Sequence, residues 1–369
     1  MSRSDATGQP ESRLGVRERL EIAMPPLALG GISAILSMAL VLSVVLYFAS
    51  PRQQFTVAGA MGFAIVASAI ALAFATLGLL ALEQAGVMGI GAFTMVALAN
   101  SGTSVPVALA ASLAVGLIVG LGFGLLAGQV NIFAYAIVGF AFSFLFAVVG
   151  SGPLINSFTG GDLGKPLAAA EMFGVDLMYG PGTVLLSGGV LMLVLIAEAG
   201  ALRSSIGSIL LQVRANPNVA ATLGINQAGA RTVTVMFVAG ISSLGGAVTA
   251  VVTNFVTPGK FGPELVVLLL AVALFGGVTY AVGPVIGALS LVAIPTLLGF
   301  RGVDKVLIVA IVFLVVVLIS GRGFTDLVVR FFRYMWHSVF RRRASESDAR
   351  DSHSADAPQK SARGTSRER

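Results

Sequence analysis

Glu83 and Gln84, in the run LALEQAGVMGIGAF, are the polar pair best placed to meet a solute in an otherwise apolar stretch. A carboxylate there is costly unless it is solvated, paired or protonated. Two readings stand side by side: a carboxylate at the mouth of a passage in contact with water, or a polar group beside the path itself. Glu198 ends another apolar segment and reads as an interface residue. Asn131, Thr234, Ser242, Ser243, Thr249 and Asn254 are uncharged groups suited to bonding neighbouring backbone or helices, some to facing a cavity. Catalysis has little to build on. There is no cysteine, and the two histidines, His337 and His353, lie near the C-terminus. Disulfides, thiolate metal sites and a histidine centre in the apolar body are thereby excluded. The string nearest to a phosphate loop, GGDLGKP at Gly160 to Pro166, is one residue short in its glycine spacing. Pro166 also takes the place of the magnesium-binding Ser/Thr, so no nucleotide site or other cofactor site is expected on this chain.

A second kind of chemistry is recognition. Residues 203–231 read RSSIGSILLQVRANPNVAATLGINQAGAR, a polar insert with three arginines between apolar segments. Asn216 suits an N-cap, Pro217 the first helical position, and Gly224 a left-handed end. A short capped helix held between two spans is a docking element for a separate soluble partner.

These groups are positioned by apolar helices. The chain has 369 residues, 56% hydrophobic and 11% charged, with a mean hydropathy of +0.93. Soluble domains carry about 25% charged residues, so the composition is that of an integral membrane protein. We expect an all-α polytopic fold with about ten transmembrane or partly re-entrant helices. The segments are roughly 27–50, 57–81, 85–100, 105–127, 130–149, 181–199, 230–256, 263–281, 283–299 and 304–321. Segments 85–100 and 283–299 are short and rich in glycine or proline, so tilted, broken and re-entrant forms all remain open. Gly116, Gly120, Gly124 and Gly128 recur every four residues and share one helix face, where a neighbour can approach closely.

Charge orients the chain. Residues 1–26 form a polar tail that mixes acids with arginines, and the run from Leu27 to Ser50 is too long for a signal core. With an even number of spans both termini share the cytoplasmic side with the loop 200–229, which carries Arg203 and Arg214. The loop 150–180 then faces outward. The net charge of +6 reflects arginine-rich ends rather than a nucleic-acid surface. The core domain is 27–321. Residues 322–343 place Phe324, Leu327, Val328, Phe331, Phe332, Met335, Val339 and Phe340 in a stripe flanked by arginines, the pattern of an interfacial helix. Residues 344–369 have no apolar periodicity and read as disordered.

Four blocks together resemble a known family. They are GIGAF at Gly89 to Phe93, FTGG at Phe158 to Gly161, RANPNVAATLGIN at Arg214 to Asn226, and FGGVTYAVGPVIGA at Phe275 to Ala288. In this order and spacing the chain resembles the inner-membrane permeases of branched-chain amino acid ABC importers, the LivM-like group, over roughly residues 57–325. Glu83 stands where that family usually has glycine, Leu79 and Ala81 replace its Gln and Ser, and Thr279 replaces a glycine.

The resemblance implies a bacterial inner-membrane subunit paired with a second permease, two ATPase subunits carrying ATP and Mg, and an extracytoplasmic solute-binding protein. It implies that Arg214, Asn216, Pro217, Val219, Ala220, Ala221, Leu223 and Gly224 contact the ATPase, with small residues at 220 and 221 for close approach and Leu223 as apolar anchor. Glu83, Gln84, Gly89, Gly91 and Phe93 are the substrate-path candidates. Thr159, Gly160 and Gly161 in the outer loop are candidates for contact with the binding protein or for a lid. Branched-chain amino acids or related small polar solutes suit a passage with few buried charges. The alternative is a self-sufficient secondary transporter, weakly suggested by the two short glycine-rich segments.

Overall fold

Local signals set where the helices begin and end. The computed structural model describes residues 49–168, 170–172, 175–177, 180–215, 220, 222–278, 282–300 and 302–319. The expected N-terminal tail, most of segment 27–50, the helix at 322–343 and the tail at 344–369 lie outside these residues. Helix α1 spans Pro51–Leu77. Ser50 precedes it with Pro51 at the first position, and the Gln53 side chain accepts the Ser50 N–H at 2.8 Å. Gly78 ends it at φ +70°, its N–H bonded to the Phe74 carbonyl at 3.0 Å. Next come α2 (Gln84–Asn100), α3 (Val105–Gln129) and α4 (Ile132–Ser151). Asn131 caps α4 by accepting the Ala134 N–H at 2.8 Å.

After a connection containing short strands, the chain continues as α5 (Pro181–Arg203) and α6 (Ser205–Ala215). Helix α7 (Gln227–Thr253) is capped by Asn226, whose side chain accepts the Gly229 N–H at 3.0 Å. Helix α8 (Pro263–Gly276) and α9 (Gly283–Ala288) follow. Helix α9 passes through a π turn at Leu289–Ala293 into Ile294–Leu297. The last is α10 (Gly302–Ile319). Five of the described helices, α1, α3, α4, α5 and α7, are long and apolar enough to cross a membrane. Segment 85–100 is one continuous helix, and 283–299 is interrupted by the π turn.

Burial sorts these helices into centre and periphery. The central windows of α1 and α7 are 83% buried, against 22% for α3 and 28% for α4. An apolar helix covered on all sides is a core helix. Helices α3 and α4 instead turn Ile118, Leu121, Leu125, Phe133, Ile137 and Phe144 outward, as a lipid or subunit contact requires.

Four of the five glycines of α3, Gly116, Gly120, Gly124 and Gly128, bring it onto α7. A Cβ added at Gly116 would stand 2.4 Å from the Ser243 Cβ, and one at Gly124 would stand 2.6 Å from the Thr232 carbonyl oxygen. At Gly128 the nearest atom would be the Ala228 Cβ, at 3.0 Å. The partners descend from 243 to 228 as the glycines ascend, so the helices run antiparallel with backbones nearly touching. Thr232 Oγ1 donates to the Gly124 carbonyl at 2.9 Å, and Ser243 Oγ to that of Ser112 at 2.5 Å. The glycine face expected for helix packing does that work. The same close approach joins α8 to α9: a Cβ at Gly276 would lie 2.0 Å from the Gly283 carbonyl oxygen.

Candidate functional site

At the end of the bundle that carries the insert, Glu83 closes the non-helical link between α1 and α2. Glu83 and Gln84 are both fully buried. The Tyr135 hydroxyl of α4 donates to Glu83 Oε1 at 2.5 Å, and Gln84 Nε2 donates to the same oxygen at 2.6 Å. Glu83 Oε2 and Gln84 Oε1 are buried with no hydrogen-bond partner among the described residues. Gly139 makes room for the carboxyl: a Cβ there would lie 2.7 Å from Oε2. Glu83 therefore does not meet solvent here; α4 covers it. Buried polar groups are normally bonded, and each exception calls for an explanation. Glu198 is likewise buried and accepts from Ser68 Oγ at 2.9 Å.

The insert sits on the same end. Arg214, the next-to-last residue of α6, donates from Nη1 to the Ala75 carbonyl and lies 5.6 Å from the centre of the Phe74 ring. Its guanidinium thus grips the last turn of α1 by a hydrogen bond and a cation–π contact. Ala220 is 1% exposed and joins an apolar cluster with Leu77, Leu79, Ala127, Tyr135, Leu210, Val213 and Val235. Leu223 is 66% exposed. Gly224 adopts φ +75°, and the Ile225 N–H bonds to the Ala220 carbonyl at 3.1 Å, the six-to-one bond of a glycine-closed helix end. Asn216, Pro217, Val219 and Ala221 lie outside the described residues. Of the proposed docking groups, Ala220 is buried against the body of the protein, while Arg214 is exposed and lies along the end of α1. A short turn has too few residues to reveal from sequence which side it buries.

The GIGAF block packs helices. A Cβ at Gly91 would stand 2.0 Å from the Ser243 carbonyl oxygen, and one at Gly89 would stand 2.3 Å from the Phe146 ring. Phe93 is fully buried, its ring centre 6.3 Å from Phe146, 6.1 Å from Phe158 and 6.3 Å from Phe261. These spacings are ordinary for tilted aromatic pairs. Beside this cluster is a cavity of about 310 Å³, lined by Ile90, Phe142, Leu145, Phe146, Val149, Ile155 and Phe158. Its lining is wholly apolar, so it lacks the polar groups that would orient a zwitterion.

At the opposite end, Thr159, Gly160 and Gly161 form a tight turn. Thr159 Oγ1 donates to the Gly150 carbonyl at 2.7 Å and accepts the Gly161 N–H at 3.2 Å. Gly160, Gly161 and Gly164 all have positive φ. Strand β1 (Lys165–Pro166) then pairs antiparallel with the strand Phe255–Val256 that follows α7. Asn100 ties the same segment to α2 through the Pro166 carbonyl at 2.9 Å and the Ala168 N–H at 2.8 Å.

Tyr135 is a site residue beyond those expected from the sequence, and the sequence carries a signal for it. Tyr135, Gly139, Ser143 and Ala147 are four apart on a strongly apolar helix and make one buried stripe. Of the polar helix residues, Asn131, Thr234, Ser243 and Thr249 bond backbone groups, while Ser242 Oγ is buried without a partner among the described residues. No curated protein and no solved structure matches the chain. The family described as the permease component of the branched-chain amino acid transport system matches residues 54–320, and the chain belongs to that family.

Proposed function

We propose that the chain is one permease subunit of an ABC importer in a bacterial inner membrane, with both termini cytoplasmic. It carries branched-chain amino acids or a related small polar solute and couples to a separate ATPase through the insert at 200–229. In this reading the chain pairs with a second permease, two ATPase subunits supply ATP and Mg chemistry, and a binding protein delivers solute to the outer loop. Family membership supports the transport role. The observation that carries the coupling is the seat of the insert: Ala220 is buried among residues of α1, α3, α4, α6 and α7, while Leu223 beside it projects outward. A push on Leu223 is delivered to the ends of several helices at once. Such a push shifts the path only if the ATPase contacts differ in energy between the two access states. The test is uptake of labelled leucine into vesicles that hold the chain and its second permease, with and without co-expressed ATPase and binding protein. Uptake is expected only with both present. Accumulation by the purified chain alone would overturn the reading and favour a secondary transporter.

A further inference from the structure

Helix α4 meets α2 along a seam lined by Tyr135, Gly139 and Ser143, while its outer faces, from Phe133 through Phe144 to Val148, are apolar and exposed. Polar bonds hold the seam at two levels. At one, Ser143 Oγ donates to the Leu82 carbonyl at 2.9 Å and accepts the Gly86 N–H at 3.1 Å. At the other, the Tyr135 hydroxyl donates to Oε1 of Glu83, the residue that precedes α2. Between them Gly139 lies against Glu83 Oε2, and neither Oε2 nor Gln84 Oε1 has a donor among the described residues. Orphaned buried acceptors are unfavourable and are relieved once a donor reaches them. The closed seam is therefore held at this level by one hydroxyl against a standing polar imbalance.

The Tyr135 ring also belongs to the apolar cluster that contains Ala220 of the insert. One side chain thus shares an apolar cluster with the docking turn and bonds the buried carboxyl. We infer that Tyr135 is a positioning residue: its hydroxyl latches the α2–α4 seam through Glu83, and movement of the Ala220 turn releases the latch by shifting the ring. This rests on the proposed role of the insert. Packed seams switch between discrete arrangements rather than deforming smoothly, so a small displacement at Ala220 is enough to open it.

The chain contains no cysteine, so a single introduced thiol reports on the seam alone. Ala147→Cys places it in the same buried stripe of α4 without removing a polar bond of the seam, and maleimide labelling of the full chain in membranes measures its exposure. Labelling is expected to be slow, and about tenfold faster when Tyr135→Phe removes the hydroxyl but keeps the ring. Glu83→Ala removes the same bond from the other side, together with the orphaned Oε2, and serves if Tyr135→Phe is poorly produced. In the assembled transporter, labelling should differ between nucleotide-free and nucleotide-trapped states, and Tyr135→Phe should abolish that difference and lower the solute moved per ATP. A purely structural tyrosine would reduce the amount of folded protein and change neither rate nor ratio. Equal labelling with and without the hydroxyl overturns the latch even where uptake proves ATPase-dependent. Faster labelling with ATPase-independent uptake keeps the latch and refutes the coupling role instead.

Discussion

Gly120 of α3 and Ala239 of α7 are so close that a Cβ added at Gly120 would stand 2.6 Å from the Ala239 Cβ. Two positions away, a Cβ at Gly122 would meet nothing within 4 Å. The two glycines therefore predict opposite outcomes. Gly120→Ala should destabilise the folded chain by about 1–3 kcal/mol, because backbone and side chain must separate. Gly122→Ala should be neutral or stabilising by up to about 1 kcal/mol, because it only improves helix propensity. Thermal unfolding in detergent, followed by size-exclusion chromatography, separates the two.

Ala220 and Leu223 divide folding from docking. Ala220→Arg would drive a charge into the cluster around Tyr135, and the expected result is loss of folded protein. Leu223 is exposed, so Leu223→Asp should leave stability within about 0.5 kcal/mol. Its effect should fall on ATPase stimulation and uptake. The two variants are compared by melting temperature and transport together; equal loss of stability would contradict this division.

Much of this arrangement is legible in the chain, and the remainder is not, for physical reasons. The segment 105–127 falls within α3, Val105–Gln129, because a long apolar run bounded by polar residues leaves few alternatives. The start of α1 at Pro51 rather than near 57 is hidden from hydropathy by Arg52, Gln53 and Gln54, although Ser50 and Pro51 are sound start signals. The α3 glycine repeat announces a close approach without naming α7 as its partner. Glu83 stands out as an acid in an apolar run, but its bond to Tyr135 crosses 52 residues of sequence and depends on how α4 packs. Likewise, Arg214 and Ala220 are visible as insert residues, while the contact of Arg214 with α1 and the burial of Ala220 appear only once the helices are packed.

Arg214 holds α6 to the end of α1. Arg214→Ala removes both its bond to the Ala75 carbonyl and its contact with the Phe74 ring. The loss expected is about 1 kcal/mol, because the group is exposed and water competes for it. Arg214→Lys should recover part of the cation–π contact but not the reach of the planar fork. Transport should fall more than stability in both variants, since a loosened insert transmits less of the push. Unchanged solute-per-ATP ratios in Arg214→Ala would count against the clamp.

The turn at Thr159 to Gly164 should be among the least tolerant at the other end of the bundle. Thr159→Val keeps the volume but removes the bond to the Gly150 carbonyl and the acceptor of the Gly161 N–H. Orphaning those buried groups costs about 1–3 kcal/mol. Gly164→Ala should be worse: the residue has φ +71°, and its Cβ would fall 2.3 Å from the Val256 carbonyl oxygen, against the strand that pairs with Lys165–Pro166. Both variants should expose the 160–168 segment to limited proteolysis before the helices unfold, with Gly164→Ala cleaved first. If the order is reversed, the strand pairing rather than the threonine hydroxyl is the weaker tie in that loop.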